Sequence, residues 1–148
     1  MKAFWRPRAD AAADPEAAFS LATRLADEGD IDGAREAYRQ VANSGHPEYA
    51  AAAAWKFGQL NQRQGRLRQA HEAYQVAIES GHPDVAPLAM VDLGHLIRDS
   101  LYPENAQPLY QAAVDSGHPE AAREAARYLA DRKKSLVPNG PRFHAFRA

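Results

Sequence analysis

The tetrapeptide Ser-Gly-His-Pro occurs three times, at Ser44–Pro47, Ser80–Pro83 and Ser116–Pro119, with a constant step of 36 residues. A fixed period between about 20 and 50 residues marks an architecture of stacked units, each too small to bury its own apolar face. Other positions keep the same step: Ala34, Ala70 and Ala106; Tyr38, Tyr74 and Tyr110; Gly58 and Gly94, with Ala22 and Ala130 in the corresponding end positions. The unit is helical by composition. Alanine occurs 32 times in 148 residues, and Leu, Ala, Arg and Glu crowd the middle of the chain, all side chains that lose little rotamer freedom in a helix.

Punctuation divides each unit into two helices. Gly45, Gly81 and Gly117 suit the left-handed residue that closes a helix, and Pro47, Pro83 and Pro119 suit the first turn of the next, where no N–H is missed. A second break falls at Gly29, at Gly65 and, without glycine, near Leu101, Tyr102 and Pro103. The pattern predicts seven helices, over about 15–28, 31–43, 47–64, 67–79, 83–99, 104–115 and 119–134. Ala54, Phe57, Gly58 and Asn61 form one inward stripe, repeated as Met90, Leu93, Gly94 and Ile97; Ala70, Tyr74, Ala77 and Ile78 form its partner. A small residue opposite each glycine is expected to let two helices approach closely. The charged side of 119–134, with Arg123, Glu124, Arg127, Asp131, Arg132, Lys133 and Lys134, fits a solvent-facing cap.

The order Leu93-Gly94, Ala106, Tyr110, Ala113, and before it Phe57-Gly58, Ala70, Tyr74, Ala77, resembles the tetratricopeptide repeat over about residues 15–134. The period is 36 rather than about 34, Ala22 replaces the first glycine, and Asn61 stands where an aromatic is usual. The Gly-His-Pro turn and the period also look like Sel1-like repeats, but the short step from Gly58 to Gly65 lacks that subfamily's longer loop. The resemblance implies an all-α, right-handed α-α superhelix of three helix pairs closed by a capping helix. It also implies a non-enzymatic scaffold that binds a peptide or a partner protein on its concave face.

That face is lined mainly by the first helix of each pair. Beside the core stripe runs a second one: Trp55, Gln59, Gln62 and Arg63 in the middle unit; Phe19, Thr23, Ala26 and Asp27 before it; Val91, His95, Arg98 and Asp99 after it; Arg127, Asp131 and Lys134 on the last helix. These positions resemble the family's peptide-contacting ones. The expected contact residues are Phe19, Thr23, Trp55, Gln59, Arg63, Val91, His95, Arg98 and Arg127, with Phe19, Trp55 and Val91 as an apolar row and the arginines as binders of carboxylates or carbonyls. The plainer alternative is that Trp55 only fills space between neighbouring first helices. The family's carboxylate clamp of Lys and Asn is not reproduced.

His46, His82 and His118 invite a metal reading. Units about 8–10 Å or more apart cannot easily share an ion whose ligands lie about 2.0–2.1 Å from it, so imidazoles that cap helix ends are expected, and no metal or cofactor. Glycine-rich phosphate loops, His-Glu-x-x-His and nucleophile elbows are missing from the sequence. Asp99 lies one turn from His95 and could be drawn as an acid–base pair, but without a nucleophile the reading is not an enzyme.

With 18 basic against 19 acidic side chains, the charge lacks the basic excess of a nucleic-acid binder. Absence of cysteine excludes a disulfide framework and a thiolate zinc site. No stretch suits a signal peptide or a membrane span, so a cytoplasmic protein with no membrane or nucleic-acid partner is expected. Residues 1–14, with Phe4 and Trp5, read as a flexible arm; 15–134 as the repeat domain; 135–148, with Phe143 and Phe146 among Arg142, His144 and Arg147, as a tail. The aromatics of that tail suggest docking on an apolar surface, in cis or on a second copy. The competing functional reading is therefore a self-assembling, homo-oligomeric module that pairs through open edges or aromatic ends.

Overall fold

The computed structural model describes residues 14–136, with side chains through Lys134. The expected arm before Asp14 and the tail beyond Leu136, including Phe143 and Phe146, lie outside the described residues. Among the described residues seven α-helices follow one another: α1 (Pro15–Asp27), α2 (Ile31–Ala42), α3 (Tyr49–Arg63), α4 (Leu67–Glu79), α5 (Val85–Arg98), α6 (Gln107–Asp115) and α7 (Pro119–Leu136), with a 3-10 turn at Pro103–Ala106 ahead of α6. No strand occurs among the described residues. Each helix packs on the next, and α1 also meets α3, α3 meets α5, and α5 meets α7. The chain is an all-helical, repeat-like array.

The Ser-Gly-His-Pro turn is built the same way three times. Ser44, Ser80 and Ser116 donate through Oγ to the carbonyls of Val41, Ala77 and Ala113, each at 2.6 Å, and accept from the N–H of His46, His82 and His118 at 3.2 Å. The glycine between them takes φ of +70°, +67° and +73°, which an L side chain rarely adopts. The imidazole then caps the next helix. His46 Nδ1 accepts from the N–H of Glu48 and Tyr49, His82 Nδ1 from Asp84 and Val85, and His118 Nδ1 from Ala121. An accepting Nδ1 assigns the proton to Nε2. That nitrogen faces the acid of the preceding turn: His82 Nε2 lies 3.4 Å from Glu48, and His118 Nε2 3.9 Å from Asp84. The repeated histidine thus caps its own helix, and His82 and His118 also tie their turns to the ones before.

Regular helix begins two residues later in α3 and α5 than the prolines suggest, although the His46 and His82 carbonyls already accept from Ala50 and Ala86. Where glycine is missing after α5, Ser100 Oγ donates to the Ile97 carbonyl and accepts from the Tyr102 N–H. The serine device of the other turns closes this helix without a left-handed residue.

One buried cluster runs through α1–α5, around Tyr38, Phe57, Tyr74 and Leu93, and a second joins α5, α6 and α7 around Val91, Tyr110 and Ala125. The close approach at each glycine differs from the expected small-on-small contact. A Cβ on Gly58 would lie 2.6 Å from Tyr74 Cε1, and one on Gly94 2.7 Å from Tyr110 Cε1. The missing methyl makes room for a tyrosine ring laid against the backbone of the first helix. Ala22 keeps its Cβ in the first unit, where Tyr38 is the tyrosine and meets Phe19 edge-on at 5.4 Å.

Asn61 is a conflict inside this core. It is fully buried; Nδ2 donates to the Phe57 carbonyl at 2.8 Å, while Oδ1 has no partner. An unpaired buried acceptor costs about 1–3 kcal/mol. Asn61→Leu, similar in shape, is expected to stabilise the chain by about 1 kcal/mol or more, read as a higher urea midpoint. A lower midpoint would show that the oxygen is satisfied.

Candidate functional site

Helices α3 and α5 pack side by side and share one face. Between α3 and α5 this face opens into a hollow of about 390 Å³ lined by Gln59, Gln62, Arg63, Tyr74 and Asp92. Its organising group is the Asp92 carboxylate. Oδ2 accepts from the Trp55 indole N–H at 2.7 Å and from Gln59 Nε2 at 3.0 Å, so α3 and α5 are joined across the face. Tyr74 donates to Gln62 Oε1 at 2.6 Å, and burial pushes its hydroxyl pKa above the usual tyrosine range. Trp55 is not itself a lining residue; it is tied to the hollow through Asp92 and partly exposed, with Lys56 Nζ 4.8 Å from its ring centre.

A second cluster lies one unit further on. His95 Nδ1 is 2.7 Å from Tyr110 Oη, and its Nε2 is 3.0 Å from Glu124 Oε1. Burial holds the Tyr110 pKa up at about 12, so the phenol keeps its proton and donates to Nδ1. Nε2–H then donates to the carboxylate, the orientation a neutral imidazole allows. Tyr128 of α7 stacks on Tyr110 at 5.4 Å and sits 4.4 Å from the His95 ring, with the Arg98 guanidinium 4.9 Å from its own ring centre. Arg98 is also held by Asp99 at 2.8 Å; that bond raises the guanidinium pKa and lowers the carboxyl pKa.

Trp55, Gln59 and Arg63 share the wall of the α3/α5 hollow or border it, whereas His95 and Arg98 belong to the α5/α6/α7 cluster. Thr23 is exposed, and its Oγ1 bonds Tyr38 Oη at 2.9 Å and the Phe19 carbonyl at 3.1 Å. Phe19 is partly buried against Tyr38 and Tyr49. Arg127 is exposed on α7. Val91 departs from the expected apolar row: only 2% exposed, it packs in the core shared by α5, α6 and α7. The small residues Ala121 and Ala125 of α7 share that cluster with it, so α7 lies over the position where an open row was expected. The drawn His95–Asp99 pair is also replaced, since His95 bonds Tyr110 and Glu124 while Asp99 bonds Arg98. Glu124, expected on the solvent side of the last helix, is exposed there and also bonds His95 of α5.

Asp92 and Tyr128 are the residues that sequence reading missed. They occupy the same place in successive units, one residue past the expected row. A signal existed: a partly buried indole N–H needs an acceptor, and Asp92 is the carboxylate one period and one residue after Trp55. A further groove, of about 880 Å³, runs along α4 and the end of α5, lined by Leu67, Glu72, Val76, Glu79, Leu96 and Asp99 among others. Its residues lie mainly on a second helix, outside the stripe from which contacts were expected.

Among the described residues no group of three or more His, Asp or Glu side chains is placed to hold a metal ion, and no helix is long and apolar enough to cross a membrane. No protein-family model matches the sequence, and no curated protein matches it.

Proposed function

We propose that the chain is a non-enzymatic scaffold of the tetratricopeptide-repeat kind, a right-handed superhelix whose α1/α3/α5/α7 face is concave and takes an extended peptide or a segment of a partner protein. The observation that carries this reading is the hollow beside Trp55. One carboxylate that lines the hollow, Asp92, holds both the lining Gln59 and the neighbouring Trp55 indole in place, and the exposed Arg63 lines the same hollow. Side chains already fixed lose little rotamer entropy on binding. Gln59 and Gln62 offer amides that can bond a peptide backbone, and Arg63 and Arg127 supply two cations for acidic side chains. Aromatic and arginine side chains are the types that dominate binding energy at protein interfaces.

Panning a displayed random-peptide library against the native chain and against Trp55→Ala with Arg63→Glu tests the reading. Peptides with an apolar anchor and acidic neighbours are expected to be enriched by the native chain. They should lose at least about tenfold in affinity for the variant, whose helical circular dichroism stays unchanged. Equal selection by both proteins would remove this face from consideration.

A further inference from the structure

We infer that the groove along α4 is the docking site of this chain's own C-terminal segment, with the Phe143 and Phe146 rings seated over Val76 and Leu96. Val76 and Leu96 pack on the core from below and line the groove above, while Leu67 at its margin is 53% exposed. The two residues after Ser100, Leu101 and Tyr102, are 89% and 62% exposed and extend the apolar surface. Contiguous apolar surface of this kind is normally covered by something.

Topology, reach and charge select the occupant. The starts of α3, α5 and α7 lie side by side through His82–Glu48 and His118–Asp84, and Trp55–Asp92 and His95–Tyr128 join the helices further along, so the three run the same way and α7 ends at the side of the array where α5 ends and α4 begins. Because α7 packs on α5 and α5 on α4, the path from Leu136 to the groove crosses about two helix separations of 8–10 Å. Residues 137–142 span about 20 Å when extended, which brings Phe143 to the groove. The N-terminal segment leaves α1 from the opposite side of the array and is less well placed. Of the groove's three acids, Glu72 is paired with Arg68 and Asp99 with Arg98, which leaves Glu79 as its uncompensated carboxylate. Residues 137–148 contain Arg142 and Arg147 and no acid. Glu79 has no ion-pair partner among the described residues, which leaves it available to one of these arginines.

The chain has no cysteine, so Ala148→Cys places a single nitroxide at one position of the 148-residue chain. Amides of Leu67–Glu79 and Leu96–Ser100 are expected to lose most of their NMR intensity, while those of α1 and α2 keep theirs. Phe143→Ser with Phe146→Ser should restore the lost signals without changing helical circular dichroism, and Val76→Asp should restore them in part. Broadening confined to the end of α7, or broadening that survives the double substitution, overturns the assignment. So does broadening of isotope-labelled chains by nitroxide chains mixed with them, which would make a second copy the occupant.

Discussion

Gly94→Leu is expected to melt well below the native chain. The Cβ alone would stand 2.7 Å from Tyr110 Cε1 and 3.0 Å from its Cζ, and neither group can retreat. The tyrosine ring is 4% exposed, is stacked on Tyr128 and is bonded through its hydroxyl to His95. Leucine adds three more carbons to a site already closed. Overpacking of this kind costs about 1–3 kcal/mol, which for a domain of this size is roughly 4–12 °C in Tm. An unchanged thermal transition would mean that the ring does not lie on α5 and that the helix pairing is wrong.

Tyr74 separates ring from hydroxyl. Its side chain is fully buried, its ring covers Gly58, and its hydroxyl reaches Gln62 at the hollow's wall. Removing the ring by Tyr74→Ala leaves a cavity between α3 and α4 and is expected to cost about 3–5 kcal/mol, enough to unfold a marginally stable array. Tyr74→Phe keeps the packing and loses one hydrogen bond, whose other partner still reaches water, for about 0.5–1.5 kcal/mol. Denaturant unfolding of the two variants checks the ratio. Equal losses would place the weight of this residue in its hydrogen bond, contrary to its burial.

The legible and illegible parts of the site divide along residue type. Helical period and a 36-residue step together place Trp55, Gln59 and Arg63 on one stripe; Gln59 and Arg63 line a hollow there, and Trp55 reaches it through Asp92. Val91 obeys the same spacing and is nevertheless buried, since the register of a stripe says which direction a side chain leaves its helix and not whether the next helix lies over it. Asp92 was invisible for the complementary reason. A single acid on a helix is ordinary solvent-facing chemistry until a neighbouring unit presents an indole N–H and an amide to it.

Turn chemistry, and helix boundaries to within three residues, could be read directly, because they depend on near neighbours: a serine that back-bonds, a glycine at positive φ, a proline at or just ahead of a helix start, an imidazole within reach of the next helix's N–H groups. The repeat step added which helices are equivalent. Contacts between units belong to tertiary structure alone. The tyrosine ring lying on glycine, the carboxylate joining α3 to α5, the histidine that links α5 to α7 and the groove left along α4 all depend on distances between helices that no local rule contains. Those distances follow from how the whole set of side chains fills the space between helices, and one residue can change them without altering any period in the sequence.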